Sequence, residues 1–304
     1  KVRGRVDNRL ESVNRSMTKK PVYAYYPGCS LETTAREYDA STKLVCRALG
    51  IELREIEDWT CCGASSAHSV SHLLGIALPA RNLQIAEEMG LPMAVPCPAC
   101  SSRLKFASHD LEDGNALGTV NQILGKEFAN GAVVEPMLKI LADEGLPLAV
   151  KKPLSGLKVA CYYGCMLVRP RAILDFDDEE NPQTMDRLVE RLGAEALDWP
   201  FKTDCCGAGM PLARPDMVRR LSHSLLSAAK RLGADSVAVA CPMCQSNLDM
   251  QQGDIEKEYN EKLGLPVVYF TQLMGLALGI PAGDLLLDKH FVSPLPMLRE
   301  RGLD

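Results

Sequence analysis

Met93-Ala94-Val95-Pro96-Cys97-Pro98-Ala99-Cys100, echoed by Val237-Ala238-Val239-Ala240-Cys241-Pro242-Met243-Cys244, is the stretch on which the fold turns. In each, a short apolar run ends in two cysteines three positions apart. The run reads as a buried strand and the cysteines as the start of a helix, where both point the same way over the first turn. The free backbone N–H groups of that turn favour anionic sulfur.

Working outward, the two stretches belong to a repeat. YYPGC (Tyr25–Cys29), CCGA (Cys61–Ala64) and PCPAC (Pro96–Cys100) recur in the same order as YYGC (Tyr162–Cys165), CCGA (Cys205–Ala208) and ACPMC (Ala240–Cys244). The interval from Cys62 to Cys97 holds 34 residues and so does that from Cys206 to Cys241, while the first interval holds 31 residues in one half and 39 in the other. The longer one contains the acidic insert Asp175–Asn181. Chance does not produce such order and spacing twice, so the chain is read as a duplication.

Apolar or aromatic runs at Val22–Tyr26 and Val159–Tyr163 precede the first cysteine of each copy and read as further strands. Helical patterns lie between: Leu74, Leu78 and Leu83 in the first copy, and Val218, Leu221, Leu225 and Leu232 in the second. Alternation of strand and helix predicts an α/β fold of two duplicated cysteine-rich domains, with short, mainly parallel sheets flanked by helices. The expected divisions are a polar tail at residues 1–20, a first domain at 21–152, a second at 153–280 and an extension at 281–304. Leu146–Ser155, with two prolines and two lysines, suits the linker, and Met17 suits a natural start. Val267–Gly279 reads as strand then helix. The proline-bearing extension is expected to wrap the surface without chemistry of its own.

The 304 residues, 46% of them hydrophobic, suffice for two cores. A net charge of −5 without a run of Lys and Arg offers no footprint for nucleic acid or anionic lipid. No apolar run approaches the roughly 20 residues of a membrane span, and a cytoplasmic protein is expected. Twelve cysteines are many for such a chain.

Adjacent cysteines diverge and clasp a single ion poorly, so Cys61–Cys62 and Cys205–Cys206 suggest a centre large enough to be reached by both. Gly63 and Gly207 would let the backbone approach it and offer N–H groups to its sulfurs, though both also fit ordinary turns. A structural zinc site takes four ligands, whereas each half offers five cysteines. Zinc, a thioredoxin-like pair and structural disulfides remain alternatives. Cys46, within the helical pattern Thr42–Leu49, and Cys161, at the place of Tyr25, stand outside the repeat and are expected to be packed thiols.

The doubled pattern of cysteine, distant Cys-Cys-Gly and C-x-x-C resembles the B subunit of heterodisulfide reductase, from about Val22 to Gly279. The resemblance implies two non-cubane [4Fe-4S] clusters facing each other, one held by Cys29, Cys61, Cys62, Cys97 and Cys100, the other by Cys165, Cys205, Cys206, Cys241 and Cys244. It implies reductive cleavage of a small disulfide, of the CoM-S-S-CoB type or another. Electrons would come from an iron–sulfur C subunit and a flavin-bearing A subunit, with a hydrogenase or formate dehydrogenase module as a further partner. All ten positions are filled, and no ferredoxin run of closely spaced cysteines is present. Both pairs are followed by Gly-Ala, where proline can stand in methanogen members, which leaves the disulfide open. The alternative function is a non-catalytic electron relay in a larger oxidoreductase. Near the motifs, His68, Arg103, Lys105, Arg169 and Arg171 are candidates for binding a substrate carboxylate or phosphate, each with the plainer reading of a solvated charge or a capping histidine.

Overall fold

The computed structural model describes residues 20–64 and 66–303, so the expected N-terminal tail, Met17 included, lies outside the described residues except for Lys20. Two four-stranded sheets are present. The first comprises β1 (Val22–Tyr25), β2 (Glu52–Glu55), β3 (Met93–Val95) and β4 (Val134–Pro136), and the second β5 (Lys158–Tyr162), β6 (Glu195–Ala196), β7 (Ser236–Val239) and β8 (Val267–Tyr269). Every pairing is parallel, and the orders β2-β1-β3-β4 and β6-β5-β7-β8 are the same arrangement twice. Parallel neighbours require crossover connections, which supplies the helices.

β3 and β7 are buried at every residue, which is why they are apolar runs rather than alternating patterns. β2, Glu-Leu-Arg-Glu, lies at a sheet edge and is mostly exposed, its charges blunting that edge. That polarity hid it from a reading based on apolar runs.

Two helical patterns need correction. In the helix His72–Met89, Leu83 is fully buried but Leu74 is 40% exposed. Nine residues at about 100° each place these two on opposite faces. In the helix Pro215–Arg231, Val218 and Leu225 are buried, while Leu232 falls just beyond the last turn and is exposed.

The halves are locked together. The helix Arg36–Ala48 of the first packs on the helix Phe270–Ala277 of the second, with Ser41 Oγ and Thr271 Oγ1 2.7 Å apart. Beside them the rings of Tyr38 and Tyr269 stack at 4.2 Å and 4°. The expected linker is pinned too: Lys151 and Lys152 donate their N–H groups to the Ala277 carbonyl at 2.8 and 3.0 Å, and Leu154 is fully buried.

The extension beyond Pro281 does more than wrap the surface. Its His290 side chain is completely buried, bonded to Gln245 Nε2 and Gln272 Oε1 at 3.0 Å each. Asp249 accepts the N–H groups of Phe291 and Val292 at 2.8 and 2.9 Å. Among the described residues no helix is long and apolar enough to cross a membrane.

Candidate metal centre

Register sets the stage. Tyr25 pairs with Ala94 and Tyr162 with Val239, so the loops that leave the C-terminal ends of these strands, bearing Cys29 and Cys97 or Cys165 and Cys241, emerge side by side. Cys97 and Cys241 cap the helices Pro98–Asp110 and Pro242–Met250 in extended conformation, and proline opens each helix where no N–H is needed.

The Cys-Cys loops are held by equivalent tyrosines. Tyr26 donates its hydroxyl to the Thr60 carbonyl at 2.7 Å and Tyr162 to the Asp204 carbonyl at 2.6 Å, each the residue before its cysteine pair. Gly63 and Gly207, at φ of +74° and +80°, then turn their N–H groups back to Cys61 Sγ at 3.4 Å and Cys205 Sγ at 3.3 Å.

Each half holds one close sulfur pair at the same place in the repeat. Cys62 and Cys100 lie 3.3 Å apart, and Cys206 and Cys244 3.5 Å apart. Cys241 shares a cleft with Pro98, the residue after Cys97, so the two constellations approach each other across the halves. Shared protons polarise the set: hydrogen bonds from Cys100 and Cys61 pull Cys62 down to about 3, one from Cys165 pulls Cys205 to about 6, and bonds from Cys244 and Cys97 hold Cys241 well below the usual thiol range. The donors Cys61 and Cys165 are correspondingly raised.

The ten sulfurs fit a multinuclear group. Gly28 and Gly164, at φ of +71° and +68°, leave open the space where a Cβ would stand 3.0 Å from Cys100 Sγ and 3.2 Å from Cys244 Sγ. Among the described residues no three His, Cys, Asp or Glu side chains converge as tightly as one ion requires. Cys29, Cys61 and Cys205 are exposed and Cys165 is half-buried, so each constellation has an open side and a buried inner side. A cleft lined by Tyr162, Cys165, Cys206, Cys241 and Cys244 also touches Pro98 of the first half.

The other residues named from sequence scatter. His68 is exposed on the short helix Ala67–Val70. Arg103 lies over the Phe106 ring at 5.7 Å, its buried Nε without a hydrogen bond. Lys105 donates to the Leu174 carbonyl of the other half. Arg169 is engaged by the Glu179 carbonyl, Thr203 and Glu180 at 2.8–3.0 Å, whereas the Arg171 side chain is exposed. Cys46 and Cys161 are packed thiols, and burial pushes Cys46 up to about 12. Tyr26 and Tyr162 were missed although they stand three residues before Cys29 and Cys165 in both copies. His290 carries no such signal.

Two parallel-sheet units, each carrying five cysteines of the repeat, define a duplicated cysteine-rich protein. The chain belongs to the CCG cysteine-rich-domain family, whose pattern matches residues 23–105 and 159–249. It is 38% identical to the 8-methylmenaquinol:fumarate reductase membrane anchor subunit of Wolinella succinogenes, over 89% of this chain and 97% of that one. It is 28% identical to the B subunit of the ferredoxin/F(420)H(2)-dependent CoB-CoM heterodisulfide reductase of Methanosarcina acetivorans, over 90% and 94% respectively. The crystal structure of a hypothetical protein from Helicobacter pylori superimposes with a TM-score of 0.73 at 16% identity, covering 90% of this chain and 53% of that one, which shows the shared fold.

Proposed function

We propose that the chain is the paired-centre electron-transfer subunit of a multi-subunit oxidoreductase, with one four-iron centre in each half. The observation that carries this reading is the pair of equivalent cysteine constellations, with Cys62 and Cys100 3.3 Å apart in one half, Cys206 and Cys244 3.5 Å apart in the other, and Cys241 sharing a cleft with Pro98 across the halves. Such clusters, when bound, accept and release single electrons. The chain's part is to hold ten thiols, exclude water from the inner junction, and leave Cys29, Cys61 and Cys205 at the open sides. Exposed apolar residues follow both Cys-Cys pairs, Val70, Leu73 and Leu74 after one and Met210 and Leu212 after the other, and they support docking of a partner near the centres. The relative that is a fumarate reductase subunit favours a relay between partners.

A second reading, reductive cleavage of a small disulfide, is favoured by the likeness to the B subunits of heterodisulfide reductases. Two electrons and two protons would convert the disulfide to two thiols, one electron from each half.

Anaerobic iron and acid-labile sulfide analysis with visible absorption tests the shared core. Two four-iron clusters would give about eight irons and eight sulfides per chain, reduced in a Cys61→Ser, Cys205→Ser variant. Zinc without sulfide in fully loaded protein would refute it. Perturbation of the paramagnetic signal by a thiol would favour disulfide cleavage, and no response to any thiol would favour the relay.

A further inference from the structure

The first cysteine of each set sits on a loop, and the two loops are fastened differently. Cys29 and Cys165 hold the same place in the repeat, yet Cys29 is exposed and Cys165 is half-buried. Each loop is tied to its Cys-Cys loop by a tyrosine hydroxyl, Tyr26 in one half and Tyr162 in the other. The second half adds backbone ties: the N–H groups of Tyr163 and Gly164 donate to the Lys202 carbonyl at 2.9 and 3.1 Å. Pro27, at the place of Tyr163, has no N–H to give.

Arg169, four residues after Cys165, widens the difference. Its Nε donates to the Glu179 carbonyl at 3.0 Å, and a terminal nitrogen reaches Thr203 Oγ1 at 2.8 Å and Glu180 Oε1 at 3.0 Å. Thr203 is buried and stands two residues before Cys205, so this bond crosses from one cysteine loop to the other. It is charge-assisted and sheltered from water, whereas the contact with exposed Glu180 contributes little. Glu179 and Glu180 belong to the acidic insert Asp175–Asn181, which the second copy alone contains. At the equivalent place in the first half stands Thr33, whose hydroxyl donates back to the Cys29 carbonyl at 2.8 Å within its own loop. Among the described residues no hydrogen bond or ion pair joins residues 27–35 to residues 57–64.

We infer that Arg169 is a positioning residue that, steadied by the acidic insert, holds the Cys165 loop against the Cys205 loop, and that the unbraced first half is the one whose outer cysteine, Cys29, gives way to an incoming sulfur ligand. The two centres are thereby unequal. Cys165 is kept in place by its surroundings, as the groups around a metal site orient its ligands. Cys29 is exposed on a loop that only Tyr26 fastens, so the first half is the side that a soft, thiolate-class ligand can approach. The inference rests on the paired-centre reading given above.

The test is anaerobic alkylation of the loaded full chain with iodoacetamide, in which cysteine sulfur displaces iodide, followed residue by residue by mass spectrometry, with iron and sulfide measured on each variant. In wild type Cys29 is expected to react ahead of Cys165. Arg169→Met is expected to speed Cys165 about tenfold, the worth of one charge-assisted hydrogen bond, while Cys29 keeps its rate. Arg169→Lys, which can still reach one acceptor, is expected to fall between. Cys29 is the internal control, since general loosening would speed both cysteines and overturn the inference. Equal rates for Cys29 and Cys165 in wild type, or an unmoved Cys165 in loaded Arg169→Met, overturn it too and leave the paired-centre reading standing; wild type without iron and sulfide overturns both. Should Arg169→Met fail to fold or load, Thr203→Val, which removes the acceptor and keeps the shape, decides: a faster Cys165 supports the inference and an unchanged one overturns it.

Discussion

Cys97 and Cys241 occupy the same place in the two copies of the repeat, the N-cap of the helix that follows a buried strand, and both are buried where the halves meet, Cys241 in a cleft with Pro98, the residue after Cys97. Duplication thus makes the contact between the halves as well as the two constellations.

The positive-φ glycines behind Cys100 and Cys244 should matter for metal as well as for backbone. Gly28→Ala and Gly164→Ala each impose a Cβ about 3 Å from sulfur, in addition to the roughly 1–2 kcal/mol of a left-handed alanine. Gly90, at φ of +64° with nothing within 4 Å, supplies the control. All three variants should lose stability in denaturant titrations, Gly90→Ala the least, but only the first two should lose iron. Equal iron in all three would count against the cradle.

Lys202 and Asp186 form a buried ion pair of 2.8 Å, and Asp186 also accepts the Tyr163 hydroxyl at 2.6 Å. The Lys202 carbonyl in turn accepts the N–H groups of Tyr163 and Gly164, just before Cys165. Lys202→Met strands a buried carboxylate and should cost about 3–5 kcal/mol in unfolding free energy. Adding Asp186→Leu should recover much of that loss. A single variant as stable as wild type would show that the pair contributes little.

Asp249 latches the extension onto the helix Pro242–Met250 through two backbone bonds. Asp249→Ala should destabilise the chain by about 3 kcal/mol, since two charge-assisted bonds are lost. Limited proteolysis should then cut near His290 before it cuts either sheet. Unaltered cleavage would mean that the apolar anchors Leu285, Leu287 and Leu298 hold the extension unaided.

Burial raises the pKa of Glu37 above its ordinary value. The folded chain therefore holds the proton more tightly than the unfolded chain, and stability falls as pH rises from the unfolded value through the folded one. Gln at this position cannot ionise. The melting temperature of Glu37→Gln minus that of wild type should become more positive between about pH 4 and about pH 8, measured anaerobically. A difference that does not change with pH would place the Glu37 carboxyl in solvent-like surroundings.

Much of this was legible in the residues. Val22–Tyr25, Met93–Val95, Ser236–Val239 and Val267–Tyr269 announce strands because burial on both faces demands continuous apolar runs. The edge strand Glu52–Glu55 does not, because one side of it faces water. Leu74 misled because leucine spacing alone does not say which face of a helix meets the core.

By itself the sequence determined the duplication, the parallel α/β units, the ten cysteines in two equivalent sets and the two packed thiols outside them, since these follow from local periodicity and repeated spacing. Only the tertiary structure decided that Cys241 shares a cleft with Pro98 of the other half, that Tyr38 stacks on Tyr269, and that Lys105 and Arg169 are already engaged. Those contacts depend on how one sheet unit is turned against the other, and that rotation is fixed by packing between distant helices, which no local pattern encodes.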